Sequence, residues 1–103
     1  MTNALLKGLR PTHPGEILRE DVLPALGKTK AEVARGLRVS RQQLYDILNE
    51  NKPVSPRMAL RIAKLTGTSA AFWLRMQGAY DLAVEEPALA AELEQIPVFS
   101  KAA

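Results

Sequence analysis

Apolar residues recur along this chain at three- and four-residue spacing, and the strict alternation that marks a half-buried strand is nearly absent. The pattern predicts an all-α bundle of about five short helices with a helical extension at the C-terminal end. Ile17, Leu18 and Val22 form the inner face of a first helix. It starts near Pro14, whose fixed φ suits a first helical position, and ends near Leu23, because Pro24 disfavours helix in the residue before it. Val33, Ala34 and Leu37 make the second stripe, and Leu44, Ile47 and Leu48 the third, over about 41–50. A fourth helix carries Ala59, Leu60, Ile62, Ala63 and Leu65, with Gly67 placed to end it. A fifth helix after Ser69 puts Phe72, Trp73, Met76, Ala79, Tyr80 and Ala83 on one face. Pro87 breaks it and leaves 87–96 as a short sixth helix. Three regions follow: a flexible arm over 1–12 with a turn around 4–6, a folded unit over 13–86, and an acidic helical tail over 87–103 with a frayed end.

Capping chemistry sharpens the middle of this picture. Thr29 with Glu32 has capping-box spacing, in which each side chain satisfies the other residue's orphan amide. Ser40 with Gln43 repeats it eleven residues later. Two N-caps so close together force two short helices with a turn at 38–39, a helix-turn-helix unit. With Lys30 as the first of twenty positions, Val33, Val39, Leu44 and Ile47 fall fourth, tenth, fifteenth and eighteenth. Ala34 falls fifth, where two crossing helices leave no room for a larger side chain. Such packing lets the second helix protrude into a groove about 12 Å wide.

With Leu44, Ile47 and Leu48 turned inward, positions 41, 42, 45, 46 and 49 face out. Arg, Gln and Asn carry the paired donors and acceptors that match base edges in the major groove. Arg41 and Gln42 are the candidates for base contact, with Tyr45 and Asp46 further along and Gln43 able to reach a base or a phosphate. Ser40, Asn49, Lys52 and Arg57 are placed for phosphate contact, partly through amides at a helix start.

Charge agrees with this division. The net charge is only +3, yet 28–67 holds nine Lys or Arg against Glu32, Asp46 and Glu50. From Gly78 onward, Asp81, Glu85, Glu86, Glu92 and Glu94 face Lys101 alone. A basic middle suits phosphates, and an acidic end suits either solvent or a basic partner. With no Cys and one His, disulfides, thiolate sites and a histidine-based metal site are excluded, and no cofactor is implied. His13 reads as a cap at the start of the first helix. Glu16, Glu20 and Asp21 read as solvated surface, so no catalytic residue is expected. No apolar run approaches the roughly 20 residues that span a bilayer. The first residues lack a signal peptide's apolar core, which makes the cytoplasm the expected location.

Three stretches, HPGEILREDVLPALG, AEVARGLRVSRQQLYDILN and VSPRMALRIAKLTGTSAAFWLRMQGAYDL, resemble the HigA-type antitoxins of the Xre (lambda-repressor-like) helix-turn-helix superfamily. The resemblance covers roughly 13–82, and HPGEIL and FWLRMQGAYDL make it specific. It implies an antitoxin that neutralises a small basic toxin similar to the RelE-type mRNA endonucleases. It also implies a homodimer that binds palindromic operator DNA to repress its own operon. Dimerisation through the C-terminal helices is part of the implication, here the helix with Phe72, Trp73, Met76 and Tyr80. The alternative is a stand-alone regulator of the same fold without a toxin. One departure is Arg38, at a turn position that most relatives fill with Gly.

Overall fold

The computed structural model describes residues 11–100. The expected arm turn at 4–6 and the last residues of the expected frayed end lie outside them. Five helices follow one another, with no strand among the described residues. The first, α1, runs without interruption through Pro14–Ile17, Leu18–Val22 and Leu23–Leu26. Next come α2 (Lys30–Leu37), α3 (Arg41–Leu48), α4 (Pro56–Thr66) and α5 (Ala70–Leu93).

Each start is capped by the residue its sequence offers. Thr29 and Ser40 form complete capping boxes with Glu32 and Gln43. Ser55 accepts from the Met58 amide ahead of Pro56, and Ser69 accepts from the Phe72 amide. His13 caps α1, its Nδ1 accepting from the Gly15 amide at 2.9 Å. Gly27 and Gly67 end α1 and α4 in the left-handed conformation.

Two proline expectations are corrected. Leu23 stays helical (φ −65°, ψ −41°) although Pro24 follows it, and α1 continues to Leu26. The reason is the wide π turn over Leu18–Val22, in which the Leu23 amide donates to the Leu18 carbonyl. The turn shifts the register ahead of the proline ring and so relieves the clash that an unbroken α-helix would impose. Pro87 likewise lies inside α5 and does not break it. The carbonyl that the missing N–H leaves without its donor is that of half-buried Ala83, and from Val84 on the helix is exposed, so the ring meets no packed neighbour.

The core joins Leu18 and Leu23 of α1 to Val33, Ala34 and Leu37 of α2, and to Leu44, Ile47 and Leu48 of α3. Val54, then Met58, Ala59 and Ile62 of α4, and Trp73 of α5 complete it. Leu60, one of the apolar residues of α4, is 63% exposed, because Met58, Ala59 and Ile62 define an inner face that points away from it. Leu65, from the same helix, stands at the edge of the core at 36% exposed.

Between α1 and α3 the approach is backbone to backbone. A Cβ on Gly15 would overlap the Ile47 carbonyl oxygen. Glycine is therefore required there for the two backbones to touch. Because backbone, not a flexible side chain, would have to move, Gly15→Ala should lose about 3 kcal/mol, the upper end for overpacking. Urea unfolding followed by circular dichroism checks this, and a variant within about 0.5 kcal/mol of the parent, the range of an ordinary surface change, would refute the wedge.

Candidate nucleic-acid interface

The turn between α2 and α3 is closed by backbone. Arg38 is left-handed (φ 62°, ψ 42°), its amide donating to the Arg35 carbonyl at 3.1 Å. The Val39 amide donates to the Ala34 carbonyl at 3.0 Å, and the Val39 side chain packs against the core. Left-handed geometry at a residue with a Cβ costs about 1 kcal/mol, which Val39 burial and two hydrogen bonds offset. Arg61 adds a third tie, its guanidinium donating to the Leu37 carbonyl at 2.9 Å.

Ser40 then starts α3. The Gln43 amide donates to Ser40 Oγ at 3.0 Å, and the Ser40 amide to Gln43 Oε1 at 2.9 Å. These two side chains are thus committed to the cap, which leaves the Gln43 amide nitrogen to donate outward. At the start of α2, Glu32 is held below the usual carboxylate range, first by the Thr29 amide and then by the Thr29 hydroxyl.

Arg41, Gln42, Gln43, Tyr45 and Asn49 are exposed on one side of α3, and Asp46 is half-buried among them. Gln42 Nε2 donates to Asp46 Oδ1 at 2.8 Å. Lys52 is brought to this face by the α3–α4 loop, since the Asn51 and Lys52 amides both donate to the Asp46 carbonyl. Gln43, Asp46, Lys52 and Ser55 share one cleft of about 230 Å³ between α3 and the start of α4. Arg57 is exposed on the first turn of α4.

The sequence reading missed what holds the far end of α3. Arg19 of α1 donates from Nη1 to the Leu48 carbonyl at 2.6 Å and to Glu50 at 3.3 Å, and from Nε to Glu20 at 2.9 Å. Glu50 is itself left-handed (φ 63°). Gln77 of α5 is buried, its Oε1 accepting from the Val54 amide at 2.8 Å while its Nε2 donates to Asp81. Gly15 and Gln77 fall within HPGEIL and FWLRMQGAYDL, but the motifs do not disclose whom they touch.

Trp73 is corrected as a surface residue. It is 1% exposed in the core of its own chain, with its indole N–H donating to Thr68, so it cannot form a dimer face. Phe72 (43% exposed) and the half-buried Met76 and Tyr80 remain on the outer side of α5. Tyr80 also meets the His13 ring edge-on at 4.9 Å. Glu16, Glu20 and Asp21 do not assemble into a metal-holding group, nor does any trio of His, Asp or Glu among the described residues. No helix among them is long and apolar enough to cross a membrane.

Residues 18–73 match the family described as helix-turn-helix. Virulence-associated protein I of Dichelobacter nodosus is 40% identical over 74 residues, 72% of this chain and 68% of that protein. The chain spans about two thirds of the length of several of the curated relatives it matches. Pseudomonas aeruginosa antitoxin HigA, solved with the higBA promoter, is 38% identical over 86% of this chain and 97% of its own, with a TM-score of 0.79. Antitoxin GraA, solved in complex with its operator, is 37% identical over 99% of both chains, with a TM-score of 0.80.

The chain belongs to the HigA-type antitoxins of the Xre helix-turn-helix superfamily. The features the family turns on are therefore the two capped helices and their turn, and in this HigA-type chain they are fixed from α1 as well as from within.

His13 couples that scaffold to pH. Burial lowers its pKa below the ordinary 6.5, against the opposing pull of Glu50, Asp81 and a hydrogen bond to the Lys52 backbone. The unfolded chain then binds the proton more tightly than the folded one, so the contribution of neutral His13 is complete above pH 6.5 and is lost as pH falls below it. Protonation at Nδ1 also removes the acceptor for the Gly15 amide. Stability should therefore fall between pH 7 and pH 5 in the parent, and fall less in His13→Asn, which keeps a capping oxygen but does not titrate. Chemical denaturation across that range decides it, and identical pH profiles would count against the assignment.

Proposed function

We propose that this chain is the antitoxin of a type II toxin–antitoxin module: a cytoplasmic homodimer that binds palindromic operator DNA, represses its own operon and neutralises a RelE-like mRNA-cleaving toxin. The observation that carries the reading is the outward row Arg41, Gln42 and Tyr45 on a doubly capped α3, within a chain that aligns end to end with an antitoxin solved on its operator. Arg41 and Gln42 sit on the first turn of α3, where a recognition helix meets base edges. Lys52 and Arg57, on the loop and the first turn of α4, take phosphates, as do the first-turn amides of α3 that the Ser40 cap does not use. Asn49, at the far end of α3, does the same.

A twofold dimer places two such helices in major-groove half-sites about one helical turn apart. Phe72, Met76 and Tyr80 supply the dimer face; Leu82, Leu89 and Leu93 form a second exposed apolar stripe on another side of the same helix. The acidic outer half of α5, with Glu85, Glu86 and Glu92, offers complementarity to a basic toxin, which mainly raises the association rate.

Co-expression with the product of the adjacent reading frame tests the antitoxin half. A small basic protein that is toxic alone, is harmless with this chain and co-purifies with it is the expected result. Neither capture nor rescue would leave the stand-alone regulator. For the DNA half, Arg41→Ala should weaken operator binding by roughly 1–3 kcal/mol and relax preference at one base pair. Lys52→Ala should weaken all duplexes about equally and reduce the salt slope by about one. Titrations of operator and unrelated duplex at several salt concentrations separate the two, and an unchanged affinity and footprint for Arg41→Ala would remove its base-reading role.

A further inference from the structure

Gln42 and Asp46 stand one helical turn apart on the outer face of α3, joined by the 2.8 Å hydrogen bond from Gln42 Nε2 to Asp46 Oδ1. A Gln–Asp pair at this spacing stabilises a helix on its own account. A carboxylate only accepts, so the end of the Gln42 amide turned toward Asp46 must be its nitrogen. An exposed glutamine without such a neighbour turns about its last torsion and presents oxygen and nitrogen in either order. Here one order is selected and one of the two N–H groups is used, which leaves a single N–H beside Oε1. In the major groove adenine offers the complement of that pair, an N7 acceptor beside an N6 donor. Guanine offers two acceptors, and neither pyrimidine presents the pair.

We propose that Gln42 reads an adenine in each half-site and that Asp46 is the positioning residue that fixes which way round Gln42 presents its amide. The proposal rests on the DNA-binding reading above and extends it to a named base. It also accounts for an acid on an otherwise basic face: among Arg38, Arg41, Lys52 and Arg57, a carboxylate lowers attraction to phosphate in general, and what it supplies in return is orientation. The side chain is dispensable for the fold, because the α3–α4 loop is closed on the backbone carbonyl of Asp46.

Selection from a random duplex library, followed by titration of the selected operator and its single-base variants, tests this with the parent, Gln42→Ala, Asp46→Ala and Asp46→Asn. The parent should show one adenine position per half-site whose preference disappears in Gln42→Ala. Asp46→Ala should still bind, with preference at that position reduced about tenfold, within the range of one bidentate contact, and with binding to unrelated duplex increased. Asp46→Asn keeps the side chain's shape, but its amide can donate to Gln42 Oε1 as readily as accept from Nε2, so it should also lose preference at that position, which a merely structural role for the side chain would not predict. Undiminished preference in Asp46→Ala, or a base other than adenine lost in Gln42→Ala, would overturn the proposal. A parent that binds no duplex would take down the DNA-binding reading and this proposal together, an outcome distinct from both of those.

Discussion

A helix of eight residues is too short to hold itself in water, since isolated helices under about 12 residues are marginal even with favourable sequences. The outward face of α3 is such a helix, so its conformation depends on what grips its two ends. The Ser40–Gln43 box satisfies the Ser40 and Gln43 amides. At the other end, Arg19 takes the Leu48 carbonyl, and the Asp46 carbonyl takes two loop amides. Between them Gly15 lets α1 lie against the Ile47 carbonyl. Most of the other contacts serve to place those grips: Gly15 is held by His13, His13 is covered by Tyr80, and the loop after α3 is tied to α5 through Gln77 and Val54.

What was legible in the sequence divides by range. Both capping boxes, the caps at Ser55 and Ser69, the left-handed Gly67 and the inner stripes of α2 and α3 are local facts, decided by residues within four positions of one another. The turn at 38–39 was legible from the caps on either side, while its left-handed residue, Arg38, was pointed to only by the resemblance to relatives that carry Gly there. The Gly15–Ile47 contact and the Arg19–Leu48 hydrogen bond join residues about thirty positions apart. Neither residue type announces its partner, so pattern alone could not pair them.

The two proline errors and the placing of Trp73 on a dimer face have the same origin, a local rule applied where context prevails. Proline ends a helix when its clash cannot be relieved. A π turn relieves it in α1, and exposure makes it tolerable in α5. Trp73 sits on an apolar stripe whose width exceeds the face actually buried. In α5 the chain's own core claims Trp73 and leaves Phe72 outside. In α4, Met58, Ala59 and Ile62 face the core, and Leu60, on the other side of the helix, is left outside.

The grips on α3 share one property: nearly all act on its backbone. Ile47, Leu48 and Asp46 are held by their carbonyls, and the cap uses the amides of Ser40 and Gln43. The inward side chains that matter, Leu44, Ile47 and Leu48, are on the face opposite Arg41, Gln42 and Tyr45. Scaffold and recognition are therefore assigned to different atoms of the same eight residues. Outward side chains can change without releasing the helix, and the scaffold can be damaged from α1 without touching a residue that faces the groove. A loss of binding in an α1 variant then speaks of where α3 is held, and a changed base preference in an α3 variant speaks of what it reads.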